Sequence, residues 1–302
     1  MLTPKRRWAQ FSLATLLAVV TVLCVGLSLV IAPAERQRRA VATIEALGGR
    51  VKYVERDRGA TEAFPRPFLR RWLQRDYFDE VREVYLSYSS KVSDAELAYL
   101  QGLTRLQLLS LTCTQVTDAG MANLDGLTGL QQLSLYRTQV TDAGLAHLKR
   151  MTWLEVLYLN DTQITDAGLA HLQGLTGLKQ LYLGGTQVAG AGIAHLNPVI
   201  VGLRLDNTQV TDSGLANLQG LTGLKHLGLG GTKATDAGLV HLQGLTGLKR
   251  LWLDRTQVTD AGLVHLQGLT ELQDLYLYGT QVTDAGRAQI GQALPNCHIN
   301  GP

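Results

Sequence analysis

Two columns of side chains in this 302-residue chain have the types and regularity that chemistry uses. Aspartates recur at Asp118, Asp142, Asp166, Asp212, Asp236, Asp260 and Asp284. A row of carboxylates could gather cations. Each follows a Thr and precedes a short apolar pattern, which is the place of a helix N-cap. There a side-chain oxygen accepts from the orphan N–H groups of the first turn. The column therefore reads as helix caps. Histidines form a second column at His147, His171, His195, His241 and His265. A His ladder suggests metal, but zinc sites mix ligands at fixed local spacing, and no such spacing is present. Each His lies between two helix leucines and should face solvent or the coil edge. Duplication explains the column, and no metal is expected.

Other signals of catalysis are weak. Gly228-Leu-Gly-Gly-Thr-Lys233 lacks the four-residue gap and the terminal Gly-Lys-Ser/Thr of a phosphate loop. Gly190-Ala-Gly192 is too short for a dinucleotide fingerprint. No Ser/His/Asp set rises above the repeat background. The expectation is no enzyme and no cofactor.

The elements that position these columns come from a repeat. Thr-Gln-Val-Thr-Asp-Ala-Gly begins at Thr114, Thr138, Thr256 and Thr280, with variants at Thr162, Thr186, Thr208 and Thr232. A degenerate copy runs from Ser90 to Glu96. The period is 24 residues, shortened to 22 between Thr186 and Thr208. Before Thr138, Leu133 and Leu135 alternate as a short strand with one buried face, and Leu130 precedes them. After it come buried Val140, the capping Asp142, and Leu145 and Leu148 on one helix stripe. One strand and one helix cannot close a core alone. Stacked copies can, each burying leucines against its neighbours. The Thr column is expected to satisfy buried backbone between coils, since a hydroxyl both donates and accepts.

This pattern, L-x-x-L-x-L-x-x-T-x-V-T-D-x-G-L-x-x-L, resembles a leucine-rich repeat, with Thr where Asn or Cys is usual. It is similar to the subtype of ribonuclease-inhibitor-like proteins and of F-box ubiquitin-ligase receptors. The whole layout resembles membrane-anchored leucine-rich repeat proteins of planctomycete-type bacteria. The resemblance implies an α/β fold, a right-handed solenoid bent into a horseshoe or arc. Parallel strands would line its concave face and short helices its convex face.

Composition agrees with a folded chain. Hydrophobic residues make up 45%, which excludes disorder, and three cysteines exclude a disulfide-dense scaffold. The net charge of +3 argues against a dedicated nucleic-acid binder. The charge is divided, +6 over residues 1–80 and −3 over 81–302. Cys113 and Cys297 lie eight strands apart, about 38 Å at ~4.8 Å per strand, so they cannot pair within one folded chain.

The basic excess sits beside the most apolar stretch. Phe11 to Ala32 carries no charge, with Lys5, Arg6, Arg7 and Trp8 before it and Arg36, Arg38 and Arg39 after it. As a helix it would span about 33 Å, enough for a ~30 Å hydrocarbon core. The reading is a basic leader (1–10), one transmembrane signal anchor (11–32), a linker and N-terminal cap (33–80), and repeats over 81–299. A cleaved signal peptide is the competing reading, because Ala32-Pro33-Ala34 fits a small-x-small site. The leading positive charges favour an N-terminus inside and repeats on the non-cytoplasmic side. In the linker, Ala34–Leu47 has a helical pattern that Gly48-Gly49 stops, Val51–Val54 reads as a strand, and Pro65 and Pro67 break the chain before Phe68–Phe78.

Within the repeats the framework is nearly fixed while the other strand face varies. Tyr, Trp and Arg, the types enriched at binding hot spots, concentrate there. One candidate patch is Tyr136, Arg137, Tyr158, Asp161 and Tyr182; the other is Arg250, Trp252, Asp254, Arg255, Tyr276 and Tyr278. Arg204 lies between them, and Gly228, Gly230 and Gly231 should leave a bare strip. Neutral drift on an exposed strand is the alternative. The functional expectation is a membrane-anchored module binding a protein or peptide, with the bilayer as its other partner and no nucleic acid. An adaptor like the F-box receptors and a cell-envelope spacer without a specific ligand remain open.

Overall fold

The computed structural model describes residues 13–55 and 79–301. Helix α1 runs from Leu13 to Ala46 with Pro33 inside it, separating an apolar half from a half that packs on the repeats. Among the described residues no helix is long and apolar enough to cross a membrane. Several side chains in the first half of α1 lie outside the described residues, and Leu17, Val20, Val22 and Val25 are exposed. The leader residues Lys5, Arg6, Arg7 and Trp8, and the Pro65–Phe78 segment, also lie outside them.

The second half of α1 covers the first coil. Ala40, Val41 and Ile44 are buried in the common core. The Gln37 amide donates to the Asp79 carbonyl at 2.8 Å and accepts from Val81 N–H at 3.3 Å, so a side chain pairs with a strand backbone. Strand β1 (Arg50–Glu55) then runs antiparallel to β2 (Asp79–Tyr85), with a bulge between Lys52 and Tyr53.

From β2 onward all pairing is parallel and sequential. Strands β3 (Leu108–Ser110), β4 (Gln132–Ser134), β5 (Val156–Tyr158), β6 (Gln180–Tyr182) and β7 (Gly202–Arg204) are followed by β8 (His226–Gly228), β9 (Arg250–Trp252), β10 (Asp274–Tyr276) and β11 (His298–Asn300). The repeat period sets the register: Leu109, Leu133, Leu157, Leu181, Leu203, Leu227, Leu251 and Leu275 stand side by side. Bonds such as Leu135 N–H to the Tyr158 carbonyl (2.9 Å) carry the pairing beyond each three-residue strand. The chain end keeps this order, because His298–Asn300 adds an eleventh strand on β10.

One core runs the length of the molecule. Leu130, Leu133, Leu135, Val140, Leu145 and Leu148 of a single repeat are all fully buried, as are their counterparts in neighbouring coils. The Thr column behaves differently from the expectation. Thr138 Oγ1 donates to the Leu135 carbonyl at 2.7 Å, and Thr114, Thr162, Thr186, Thr208, Thr232 and Thr256 do the same three residues back. Each hydroxyl closes a turn within its own coil, because that turn leaves the carbonyl beside it.

The Asp column also has a different role. The cap is the preceding Thr: Thr165 Oγ1 accepts from Ala167 N–H at 3.2 Å. Asp142 sits inside the first turn of its helix (Asp142–Leu145), where a negative charge suits the positive end of the peptide dipoles. Its carboxylate reaches the next coil, accepting from Thr165 N–H at 2.8 Å and Thr165 Oγ1 at 2.6 Å. The same brace joins Asp94 to Thr117, Asp118 to Thr141, Asp212 to Thr235, Asp236 to Thr259 and Asp260 to Thr283. The bonds from Thr283 hold the Asp260 carboxyl below the usual Asp range. Thr-Asp-x-Gly is thus an interlock between coils.

The short repeat breaks the interlock once. Asp166 still reaches forward, to the N–H groups of Ala189, Gly190 and Gly192 at 2.9–3.1 Å. Gly190 has no carboxylate to pass on, and Thr211 shares its hydroxyl with Ser213 at 3.0 Å. Gly190 takes φ = +113°, and a Cβ there would meet Gly214 Cα at 2.5 Å, so the coils meet backbone to backbone. A charge-assisted hydrogen bond contributes ~1.5–3 kcal/mol, and losing one lowers local protection by at least about tenfold. Native-state hydrogen exchange should therefore show faster amides over Asp212–Leu215 than over Asp236–Leu239. Equal protection in the two segments would contradict this account.

Candidate binding face

The sheet's solvent face carries the variable positions. Tyr158 and Tyr182 are register neighbours and stack with centroids 4.5 Å apart. Burial, then the neighbouring Tyr182, pushes the Tyr158 hydroxyl above the usual phenol range. Arg137 Nε meets Asp161 Oδ2 at 3.0 Å, and the guanidinium lies 5.1 Å from the Tyr136 ring centroid. The first patch is therefore a contiguous set.

A hollow of about 240 Å³ opens beside it, lined among others by Tyr85, Ser110, Ser134, Tyr136, Tyr158 and Asn160. Hydroxyl bonds tie two of its lining residues to their neighbours: Ser87 to Ser110 at 2.8 Å, Ser110 to Thr112 at 3.2 Å and Thr112 to Ser134 at 2.8 Å. Tyr85 donates to Glu83 at 2.6 Å, and Lys52 pairs with Glu83 at 2.8 Å. Together they hold the Glu83 carboxyl below its usual range. Sequence reading missed this hollow. The available signal was two small residues, Ser110 and Ser134, bracketed by Tyr85 and Tyr158 in one column.

The second patch is also contiguous, and the bare strip expected beside it is filled. Trp252 and Tyr276 stack at 5.4 Å with planes 7° apart. Arg204 reaches across Gly228 to place its guanidinium 4.2 Å from the Trp252 ring centroid. Asp206 Oδ2 anchors Arg204 Nε at 2.6 Å. Gly228 and Gly230 are buried beneath this bridge. Arg250 Nε pairs with Asp274 at 3.0 Å, and Asp254 Oδ1 accepts from Tyr278 N–H at 3.0 Å. Arg255 and Tyr278 are exposed at the rim. The two patches and Arg204 thus form one run across the strands.

One backbone feature sets three of these residues apart. Arg137, Asp161 and Arg255 have φ of 54°, 53° and 55°, at a turn position that Gly185, Gly231 and Gly279 fill in other repeats. A left-handed conformation costs a non-glycine residue roughly 1–2 kcal/mol. Both arginines occupy these turns despite that cost.

Three members of the histidine column meet side chains of the preceding coil. His147 Nδ1 meets Asp125 Oδ1 at 3.0 Å, while His241 and His265 meet Gln219 and Gln243 of the preceding coil. Among the described residues no group of three His, Cys, Asp or Glu side chains could hold a metal. Cys113 and Cys297 are both free. Burial, then Asp274, pushes the Cys297 thiol up to about 11. At pH 8 its thiolate is therefore scarce, about a hundredfold less abundant than for a thiol titrating at 9. Iodoacetamide should label Cys297 correspondingly slowly in the folded protein and at the ordinary rate in urea. Equal rates in both conditions would contradict the burial.

A family model described as "Leucine Rich repeat" matches residues 150–172. No curated protein matches. Among solved structures, an internalin (InlF) from Listeria monocytogenes aligns at 24% identity and TM-score 0.50, covering 67% of this chain and 69% of that one. Internalin C2 of the same organism aligns at 23% and 0.47, covering 74% and 81%. The plant peptide hormone receptor RGFR1, in complex with RGF2, aligns at 18% and 0.50, covering 74% of this chain and 35% of the receptor. The chain thus has a solenoid fold like that of the first internalin, with an eleven-stranded, mostly parallel sheet, and one segment of it matches the leucine-rich repeat model.

Proposed function

We propose that this protein is a non-catalytic, membrane-anchored module that binds a protein or peptide on the sheet face. The observation that carries the reading is the unbroken run Tyr158, Tyr182, Arg204, Trp252 and Tyr276 on an otherwise uniform framework. Parallel strand–crossover–strand connections are right-handed in nearly all proteins, which supports a right-handed solenoid; the arc with this sheet on its concave side is what the resemblance to leucine-rich repeats implies. The peptide complex of the plant receptor is a precedent for peptide binding on the same fold. The charge-free run from Phe11 to Ala32 in the sequence supports the anchor, and the basic leader supports repeats on the non-cytoplasmic side.

The face reading is tested with tagged full-length chain carrying Tyr158→Ala/Tyr182→Ala or Trp252→Ala/Tyr276→Ala, beside the helix-side control Lys149→Ala/Arg150→Ala. Crosslinked partners should vanish in both face variants and persist in the control, with circular dichroism unchanged throughout. Persistence in all three sinks the face reading, and the absence of any crosslinked partner in the unaltered chain favours a spacer. The anchor is tested by carbonate extraction and by protease access in intact and opened cells. Pelleted chain cleaved in spheroplasts is the expected result. A pelleted chain protected until lysis places the repeats inside, as for an adaptor. A soluble, shortened chain means a cleaved signal peptide.

A further inference from the structure

The sheet face is not electrically uniform. The repeats carry −3 overall, yet six of their 17 acidic residues stand in the interlock row, bonded to Thr of the next coil. Strands β8 and β9 open with His226 and Arg250, each directly preceded by a lysine, Lys225 and Lys249, whose charges act on the His226 ring. His226 and Arg250 are register partners, and Lys249 N–H donates to the Lys225 carbonyl at 2.8 Å. Arg250 is matched by Asp274, while Lys225 and Lys249 have no ion pair among the described residues.

Three further features point to what would sit there. His226 Nδ1 is buried without a hydrogen-bond partner, and such an atom costs free energy until something meets it. Burial, then Arg250, Lys249 and Lys225, hold the His226 ring below the usual imidazole range, so it is neutral at pH 7 in a cationic surround. Trp252 has Tyr276 stacked on it and Arg204 over its ring. A partner therefore meets ring edges, whose hydrogens are the positive part of the ring quadrupole and suit carboxylates better than cations. Beside His226, Gly202 leaves the sheet surface open: its nearest neighbours stand at ordinary contact distance from a built Cβ, 3.6 Å and 3.9 Å.

We propose that this part of the face takes an acidic peptide segment, its carboxylates against Lys225, Lys249 and His226 and its chain beside Trp252. The proposal rests on the sheet face being the binding face. It names the chemistry of the partner there.

The test uses full-length protein with capped hexaglutamate, hexaglutamine and hexalysine peptides, read by the His226 ring C–H signals through a pH titration. Hexaglutamate should bind and raise the His226 pKa, because an anion favours the protonated ring. Lys225→Gln/Lys249→Gln, which changes two surface lysines, should weaken that binding at least tenfold, while Lys179→Gln should not. Hexaglutamine binding as tightly as hexaglutamate would overturn the acidic partner and leave the face reading standing. Response to none of the three peptides would overturn both. Inorganic phosphate producing the full shift at equal concentration would mark a small-anion site and overturn the peptide.

Discussion

Replacing Gly168 by Ala should destabilise the solenoid by about 3 kcal/mol, although Gly→Ala in a helix ordinarily stabilises by up to ~1 kcal/mol. The reversal comes from the neighbouring coil. A Cβ on Gly168 would collide with Asp142 Oδ1 and stand 2.9 Å from its Cγ. Asp142 cannot retreat without releasing both bonds to Thr165. The cost combines overpacking, typically 1–3 kcal/mol, with weakening of charge-assisted hydrogen bonds of ~1.5–3 kcal/mol. Urea unfolding of Gly168→Ala, Asp142→Ala and the double variant measures it. If the collision is the cause, removing Asp142 first makes the added methyl far cheaper, and the cycle shows coupling above about 1 kcal/mol. Strict additivity would sink the interlock account. Gly244→Ala, where a Cβ meets nothing within 4 Å, should change stability by less than about 0.5 kcal/mol.

The interlock shows where the sequence was legible and where it was not. Leu133 and Leu135, two apart, are readable as a strand because alternation has a physical cause in the pleat, and both are fully buried. The irregular joint was readable as the missing pair of residues between Thr186 and Thr208. Asp142 was misread because an Asp before a helix satisfies a local rule, while its actual partner, Thr165, is one coil away. Thr138 was misread in the opposite sense: a partner in another coil was expected, and its bond is local. Hydroxyl and carboxylate types fit both kinds of contact, so residue identity cannot decide between them; the geometry of the stacked coils does.

The same limit governs the sheet face. Trp252, Tyr276, Tyr158 and Tyr182 were readable as variable aromatics on one face, since period two places them there. That they stack along the solenoid depends on register alone, and the repeat period supplies it. The reach of Arg204 over a whole coil was not readable, because a long side chain has many rotamers and the glycine beneath it says only that space exists. Gly228 looked like a gap and is a bed for Arg204.

Gly228→Ala tests that difference. Alanine fits strands better than glycine, so an open strip would gain stability from the change, by up to about 1 kcal/mol. Here the new Cβ would strike Arg204 Nε and meet Asp206 Oδ2 at 2.5 Å. Arg204 must leave the Trp252 ring, forfeiting a partly desolvated cation–π contact of ~1–2 kcal/mol. The expected result is a loss of about 1–2 kcal/mol. Gly202→Ala in the neighbouring strand, where the contacts are ordinary, should be neutral or stabilising. Trp252 fluorescence separates the mechanisms: Gly228→Ala should alter it as Arg204→Ala does, and the two changes together should add nothing. A Gly228→Ala variant that is more stable, with unchanged fluorescence, would mean that the bridge does not form and that the two halves of the face are separate.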